Sequence, residues 1–119
     1  MIIAVTTEGK TMKATIDERF GRASGFIIYN TDTGSHEYRE NQQNLDAAQG
    51  AGIQSAKTVI DAGASVLITG NVGPKAHAAL AAGGVEIYLK NGGTVNEAIN
   101  DYRSGSLMKT SSANVEGHW

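Results

Sequence analysis

Short apolar runs alternate along the chain with apolar residues at helical spacing, and this alternation predicts a mixed α/β domain. The β-branched run at residues 2–5 is typical of a strand that is covered on both faces. Residues 25–30 and 35–40, joined by a polar turn, predict a hairpin with an exposed edge. Beyond residue 50, three helices alternate with strands at 65–69 and 85–89.

This order of elements predicts three layers, α/β/α, around a five-stranded mixed sheet. The domain is predicted to span residues 1–107 and to be followed by a loosely held tail over residues 108–119. Local signals mark the ends of the helices. Gly63 lies where the first helix would stop, Pro74 suits the first position of the second, and Thr94 with Glu97 forms a capping box before the third.

Length and composition exclude several classes of protein. A chain of 119 residues suits a single domain, and its net charge of −2 lacks the basic excess of a nucleic-acid binder. No apolar run is long enough to cross a membrane and no signal peptide is visible, so we expect a cytoplasmic protein without a membrane partner. The absence of cysteine excludes disulfides and protein thiolates as metal ligands.

The polar segment that follows the first strand is long for a connection in so small a domain, which is typical of a functional loop. It ends in a charged cluster, residues 17–22, where Arg19 and Arg22 flank Phe20 and Gly21. Such a cluster can clamp a polyanion. Alternatively, the arginines form surface salt bridges with the preceding acidic residues, which would contribute little energy.

Glycine-rich loops follow two of the predicted strands, where α/β domains bind ligands. The first loop holds Gly70, Asn71, Gly73 and, in the first helical turn, Lys75; the second holds Gly92 and Gly93. Both loops are consistent with an anion cradle or with ordinary turns, and neither has the spacing of a phosphate-binding P-loop. Gly50 and Gly52 give a flexible entry into the first helix and form only a weak nucleotide-binding pattern.

Candidates for catalysis are scarce in this sequence. No nucleophile elbow is present, and the three histidines are scattered without metal-binding spacing. We therefore predict a binding protein rather than an enzyme, with no catalytic residue and no residue that ligates a metal ion directly.

Taken together, four segments of the chain resemble the dinitrogenase iron-molybdenum cofactor biosynthesis family, over nearly its whole length. The segments are residues 19–23, 50–52, 68–76 and 92–95. The family includes NifX-like carriers, the C-terminal domain of NifB-type proteins and the orange protein of sulfate reducers, which carries a molybdenum-copper sulfide cluster. The C-terminal sequence, residues 115–119, is most similar to the stand-alone members related to the orange protein.

The resemblance implies a ribonuclease-H-like fold that holds an anionic metal-sulfur cluster, of molybdenum-copper or iron-molybdenum type, or its precursor. Such a cluster brings its own sulfides, so cations and N–H groups can hold it without cysteine. Many members have histidines where this chain has Arg19 and Gln49, which favours capture by charge over imidazole ligation. The implied contact residues are Arg19, Phe20, Gly21, Arg22, Gly50, Gly52, Gly70, Asn71, Gly73, Lys75, Gly92 and Gly93.

The implied partners are proteins that donate or accept the cluster, among them a P-loop ATPase. Two other functions stay open at this point. The first is a regulatory interaction module without a cluster, which would bind its partner by strand addition at residues 35–40. The second is a small enzyme for a phosphorylated or carboxylated metabolite, although no acid-base pair supports it.

Overall fold

The computed structural model describes residues 1–41 and 51–113 of the chain. One mixed sheet runs through this part of the protein, in the strand order β3-β2-β1-β4-β5-β6. The central strands β1, β4 and β5 are parallel, whereas β2, β3 and β6 continue the sheet by antiparallel pairing. The strands are β1 (Ile2–Thr7), β2 (Gly25–Asn30), β3 (His36–Glu40), β4 (Val66–Thr69), β5 (Glu86–Leu89) and β6 (Met108–Thr110).

Helices cover both faces of the sheet and give the expected three layers. They are α1 (Ala51–Asp61), α2 (Pro74–Ala82) and α3 (Val95–Arg103), and a 3₁₀ turn spans Phe20–Arg22. The first two helices and the 3₁₀ turn share a buried cluster on one face, and α3 packs on the other. None of the three described helices is long and apolar enough to cross a bilayer.

The alternation of side chains along the central strand β1 explains why the sheet is apolar on both faces. In β1, Ala4 faces the α1 and α2 layer while Ile3 and Val5 face α3, and all three are fully buried. Side chains of a strand point alternately to opposite faces, so a strand covered on both sides must be apolar at every position. The two cores leave the carboxyl edge of the parallel strands free for loops.

The expectation of a five-stranded sheet was wrong, because the described chain forms six strands. The sixth, β6, lies in the segment that we predicted as a tail and pairs antiparallel with β5. The Lys109 ammonium donates a hydrogen bond to the Glu86 carboxylate at 2.7 Å, which raises the pKa of Lys109. With Met108 76% exposed, this short strand has no alternating apolar pattern by which sequence could reveal it.

The capping box predicted at the start of α3 is present. The Thr94 hydroxyl accepts a hydrogen bond from the Glu97 N–H at 3.2 Å, and the Glu97 carboxylate accepts one from the Thr94 N–H at 3.1 Å. We expect Thr94→Ala to lower the free energy of unfolding by about 1 kcal/mol, because the helix loses one partner for its terminal N–H groups. Urea denaturation measures this change, and Thr94→Ser, which retains the hydroxyl, should stay close to the parent protein.

Candidate functional site

The carboxyl ends of β1, β4 and β5 meet at one edge of the sheet, because these strands are parallel. The loops that follow them enclose an open cleft of about 370 Å³. Its lining comes from all three loops and consists of Glu8, Thr15, Ile16, Asp17, Glu18, Arg19, Asn71 and Gly92. The structure therefore brings the long polar loop together with both glycine-rich loops.

Backbone hydrogen bonds hold the long loop, residues 8–19, across this edge. The N–H of Ile16 donates to the Gly93 carbonyl at 3.0 Å, and the N–H of Phe20 donates to the Asn71 carbonyl at 3.2 Å. Between these two contacts, the N–H of Asp17 donates to the Thr6 carbonyl at 3.1 Å. Loop 8–19 is thus fixed to β1 and to both glycine-rich loops, although it contains no long regular element.

Two fully buried threonines support the loop from below. The Thr6 hydroxyl donates to the Asp17 carbonyl at 2.6 Å and lies 3.0 Å from the Thr69 hydroxyl. Buried hydroxyls without partners would cost stability, so this arrangement ties the ends of two parallel strands to the loop. The local sequence pattern gave no sign of this contact, because the two threonines are far apart in the chain.

Arg19 combines an internal contact with exposure to solvent. The backbone N–H of Arg19 donates to the Asp17 Oδ1 atom at 3.0 Å, and the Nε of its guanidinium lies 3.5 Å from the same oxygen. The side chain is nevertheless 54% exposed, so its guanidinium retains access to solvent on the outer side. The salt-bridge interpretation therefore applies to Arg19, whereas Arg22 lies exposed at the end of the 3₁₀ turn.

Between the two arginines, the 3₁₀ turn is anchored in the core. The Phe20 side chain is fully buried and its ring centroid lies 5.8 Å from that of Phe26. Gly21 is buried as well. Phe20 and Ala76 of α2 belong to the same buried cluster, and Ala76 directly follows Lys75 in the first turn of α2. Arg19 and Arg22 therefore flank two buried residues.

A buried polar pair fixes the 3₁₀ turn relative to α1, and sequence reasoning missed it. The Asn41 amide donates to the Ala23 carbonyl at 3.0 Å, and the Ser55 hydroxyl donates to the Asn41 side-chain oxygen at 2.9 Å. Both side chains are buried. Helix α1 packs directly against the turn, and Gly52 lies in the first turn of this helix. Gly50 lies outside the described residues.

The glycines serve different geometric requirements. A Cβ on Gly70 would lie 2.7 Å from the Glu18 Cβ and 2.8 Å from its Cα, so only glycine lets loop 8–19 pass this closely. Gly92 and Gly93 have positive φ angles of 73° and 86°, which side-chain-bearing residues rarely adopt. Gly73 is the N-cap residue of α2, directly before Pro74.

The charges in the cleft differ from those that the sequence suggested. Glu8, Asp17 and Glu18 line it with a single arginine, Arg19, so its interior is net acidic. Arg22 and Lys75 are exposed but are not among the lining residues. Over residues 1–41 and 51–113, no group of three or more histidines or carboxylates is arranged to hold a metal ion. The described lining therefore offers an anion one cation, Arg19, against three carboxylates.

Comparison with known proteins identifies the family. A model of the dinitrogenase iron-molybdenum cofactor family matches residues 1–105, nearly the whole chain. The chain belongs to this family. This confirms the resemblance that we inferred from the glycine-rich loops and from the segment around Phe20.

Solved structures of relatives show the same architecture. The apo form of the orange protein from Desulfovibrio gigas is 38% identical, with a TM-score of 0.91 and 96% coverage of both chains. A Thermotoga protein described as a NifB candidate is 33% identical, with a TM-score of 0.81 and 98% coverage of both chains. Among sequence relatives, for which this comparison concerns sequence alone, an uncharacterized protein of Methanocaldococcus jannaschii is 28% identical over 96 residues, which is 79% of this chain and 81% of that protein.

Proposed function

We propose that this protein binds an anionic metal-sulfur cluster or its precursor without covalent bonds and carries it between other proteins, on a ribonuclease-H-like scaffold. The observation that carries the proposal is the backbone contact between Phe20 and Asn71. It joins the arginine-bearing turn to the glycine-rich loop before α2, and both segments carry the family resemblance. In this proposal the chain is a binding protein of the cytoplasm, without turnover.

The charges of the described residues disfavour such a cargo inside the cleft and favour contacts with exposed cations. An anion in the interior would meet three carboxylates and a single arginine, Arg19, and the net Coulomb repulsion disfavours that position. We therefore assign its contacts to the cation rim, which we define as the exposed side chains of Arg19, Arg22 and Lys75. Arginine and lysine bind anions by charge-assisted hydrogen bonds, and a cluster that brings its own sulfides needs no cysteine from the protein.

Tetrathiomolybdate is the probe that tests this proposal. The purified protein is titrated anaerobically, with and without copper, and visible absorption and retained metal are recorded after desalting. We expect stoichiometric retention, reduced about tenfold in affinity by Arg19→Ala, Arg22→Ala or Lys75→Ala, since each removes one charge-assisted contact. Arg103→Ala, which removes an equal charge at the end of α3, is the matched control and should bind like the parent protein.

The outcomes separate the remaining functions. Equal losses in Arg103→Ala and in the rim variants would indicate non-specific attraction, and complete lack of retention would reject thiomolybdate as the cargo. An iron-sulfur precursor would then be tested in the same way. Failure of every cluster would favour the interaction module. The predicted partners are cluster donors and acceptors, including a P-loop ATPase, and pull-down with loaded and empty protein tests them.

A further inference from the structure

Strand β3 forms one edge of the sheet, and within residues 1–41 and 51–113 no strand lies beyond it. Its other side pairs antiparallel with β2. Just outside this ladder, the Asn30 N–H donates to the Ser35 carbonyl at 2.9 Å and the Asn41 N–H donates to the Ser24 carbonyl at 3.0 Å. These two contacts establish which residues form hydrogen-bonded pairs.

Hydrogen-bonded pairs recur at every second residue of an antiparallel ladder. Counting from Ser35 and Asn41, the backbone groups of Glu37 and Arg39 point toward β2. The N–H and carbonyl groups of His36, Tyr38 and Glu40 therefore point away from the sheet. The edge presents a row of donors and acceptors that suits one more antiparallel strand.

The side chains along this edge are self-complementary. When two copies of β3 are placed antiparallel with Tyr38 opposite Tyr38, His36 of one copy lies opposite Glu40 of the other. In the same arrangement, Glu37 of one copy lies opposite Arg39 of the other. Exposed edges are often protected by charged side chains, and like charges directly opposite each other disfavour pairing with a second copy. Here the charges are mixed, so a second copy meets opposite charges instead of like ones.

We propose that two copies of this protein associate through β3, antiparallel and in register about Tyr38, to form one continuous sheet. His36, Tyr38 and Glu40 exchange backbone hydrogen bonds across the two-fold axis. Glu37 and Arg39 then occupy non-hydrogen-bonded positions opposite Arg39 and Glu37 of the second copy, where Cα atoms approach to about 4.5 Å. Cross-strand pairs of opposite charge are favourable at this spacing.

The structure of a single copy is already compatible with this contact. The Arg39 guanidinium donates to the Glu37 carboxylate at 3.0 Å, and the two side chains are 40% and 60% exposed. In the pair of copies, these side chains extend into one network of alternating charges. Tyr38 does not need to move, because its hydroxyl already donates to the Ser24 carbonyl at 2.9 Å and Lys10 lies over its ring.

The interface is short, so the association should be weak, with a dissociation constant on the order of 0.1 mM. Because β3 runs parallel to β1, antiparallel pairing places the two clefts at opposite edges of the joined sheet. Both cation rims stay accessible. The proposal is therefore independent of the function assigned to the cleft.

Charge reversal tests the register. Glu37→Arg places two arginines opposite each other at both symmetric positions, and Arg39→Glu does the same with two glutamates. We expect each variant to weaken self-association about tenfold or more in sedimentation equilibrium. An equimolar mixture of the two variants restores opposite charges at both positions, so it should associate at least as strongly as the parent protein. Circular dichroism checks that both variants fold.

The mixing experiment distinguishes this contact from any other mode of association. A parent protein that stays monomeric up to millimolar concentration overturns the proposal. So does a mixture that is no more associated than its separate components, because another surface would then be responsible. If the parent is monomeric but captures an added extended peptide, the edge serves a different protein and self-association is rejected.

Discussion

Replacing Phe20 with alanine should lower the free energy of unfolding by about 3–5 kcal/mol, the range for loss of a buried aromatic ring. The ring is fully buried, contacts Phe26 and belongs to the cluster under α1 and α2. Its removal leaves a cavity beneath the turn that carries both arginines. Thermal and urea denaturation measure the loss, and we expect thiomolybdate retention to fall as well because the turn loses its anchor.

Arg22→Ala is the matched control for this prediction, since Arg22 lies two residues away on the same turn but is exposed. It should change stability by less than about 0.5 kcal/mol while weakening retention of the probe. Comparing the two variants therefore distinguishes the anchoring of the 3₁₀ turn in the core from the binding of the probe. A Phe20→Ala protein as stable as the parent would contradict the burial of this ring.

The second large effect is expected at Gly70. An added Cβ would lie 2.7 Å from the Glu18 Cβ and 2.8 Å from its Cα, and the Cα belongs to the backbone. Gly70→Ala must therefore push loop 8–19 away from the end of β4, at a cost of about 1–3 kcal/mol. Hydrogen exchange should show faster exchange of the Phe20 N–H, whose bond to Asn71 spans this contact.

Glu18→Ala is the control for this prediction, because it removes the carboxylate but keeps the Cα and Cβ atoms that a Cβ on Gly70 would meet. Glu18 is exposed, so shortening its side chain while leaving the backbone in place should alter stability by less than about 0.5 kcal/mol. If Gly70→Ala proves equally mild, the two loops do not need their close approach. The role of Gly70 would then have to be sought in ligand binding alone.

Much of the fold was predictable because its signals are local. The proline at the start of α2, the capping box of α3 and the apolar run of β1 each act within a few residues, and all three predictions were confirmed. Strand β6 escaped prediction for the opposite reason. Its residues have no apolar alternation, and it is defined by pairing with β5 and by the ion pair between Lys109 and Glu86.

The candidate site was predictable only in outline. Sequence placed the glycine-rich loops at the carboxyl edge, but the path of loop 8–19 depends on partners distant in the chain, such as Gly93 for Ile16. That path brings Glu8, Asp17 and Glu18 into one cleft, and no spacing rule signals it. The burial of Phe20 was equally hidden, because a phenylalanine between two arginines suits a ligand contact as well as a core.

The hydrogen bond between Ile16 and Gly93 constrains the order in which the segments of this chain fold. The backbone partners of Ile16 and Ala14 in loop 8–19 are Gly93 and Val95, which lie far along the chain from the loop. Contacts between distant residues form only when both segments are available. The loop therefore reaches its final path only after the segment around Gly93 has been made and has docked, so the cleft that it lines is completed late in folding.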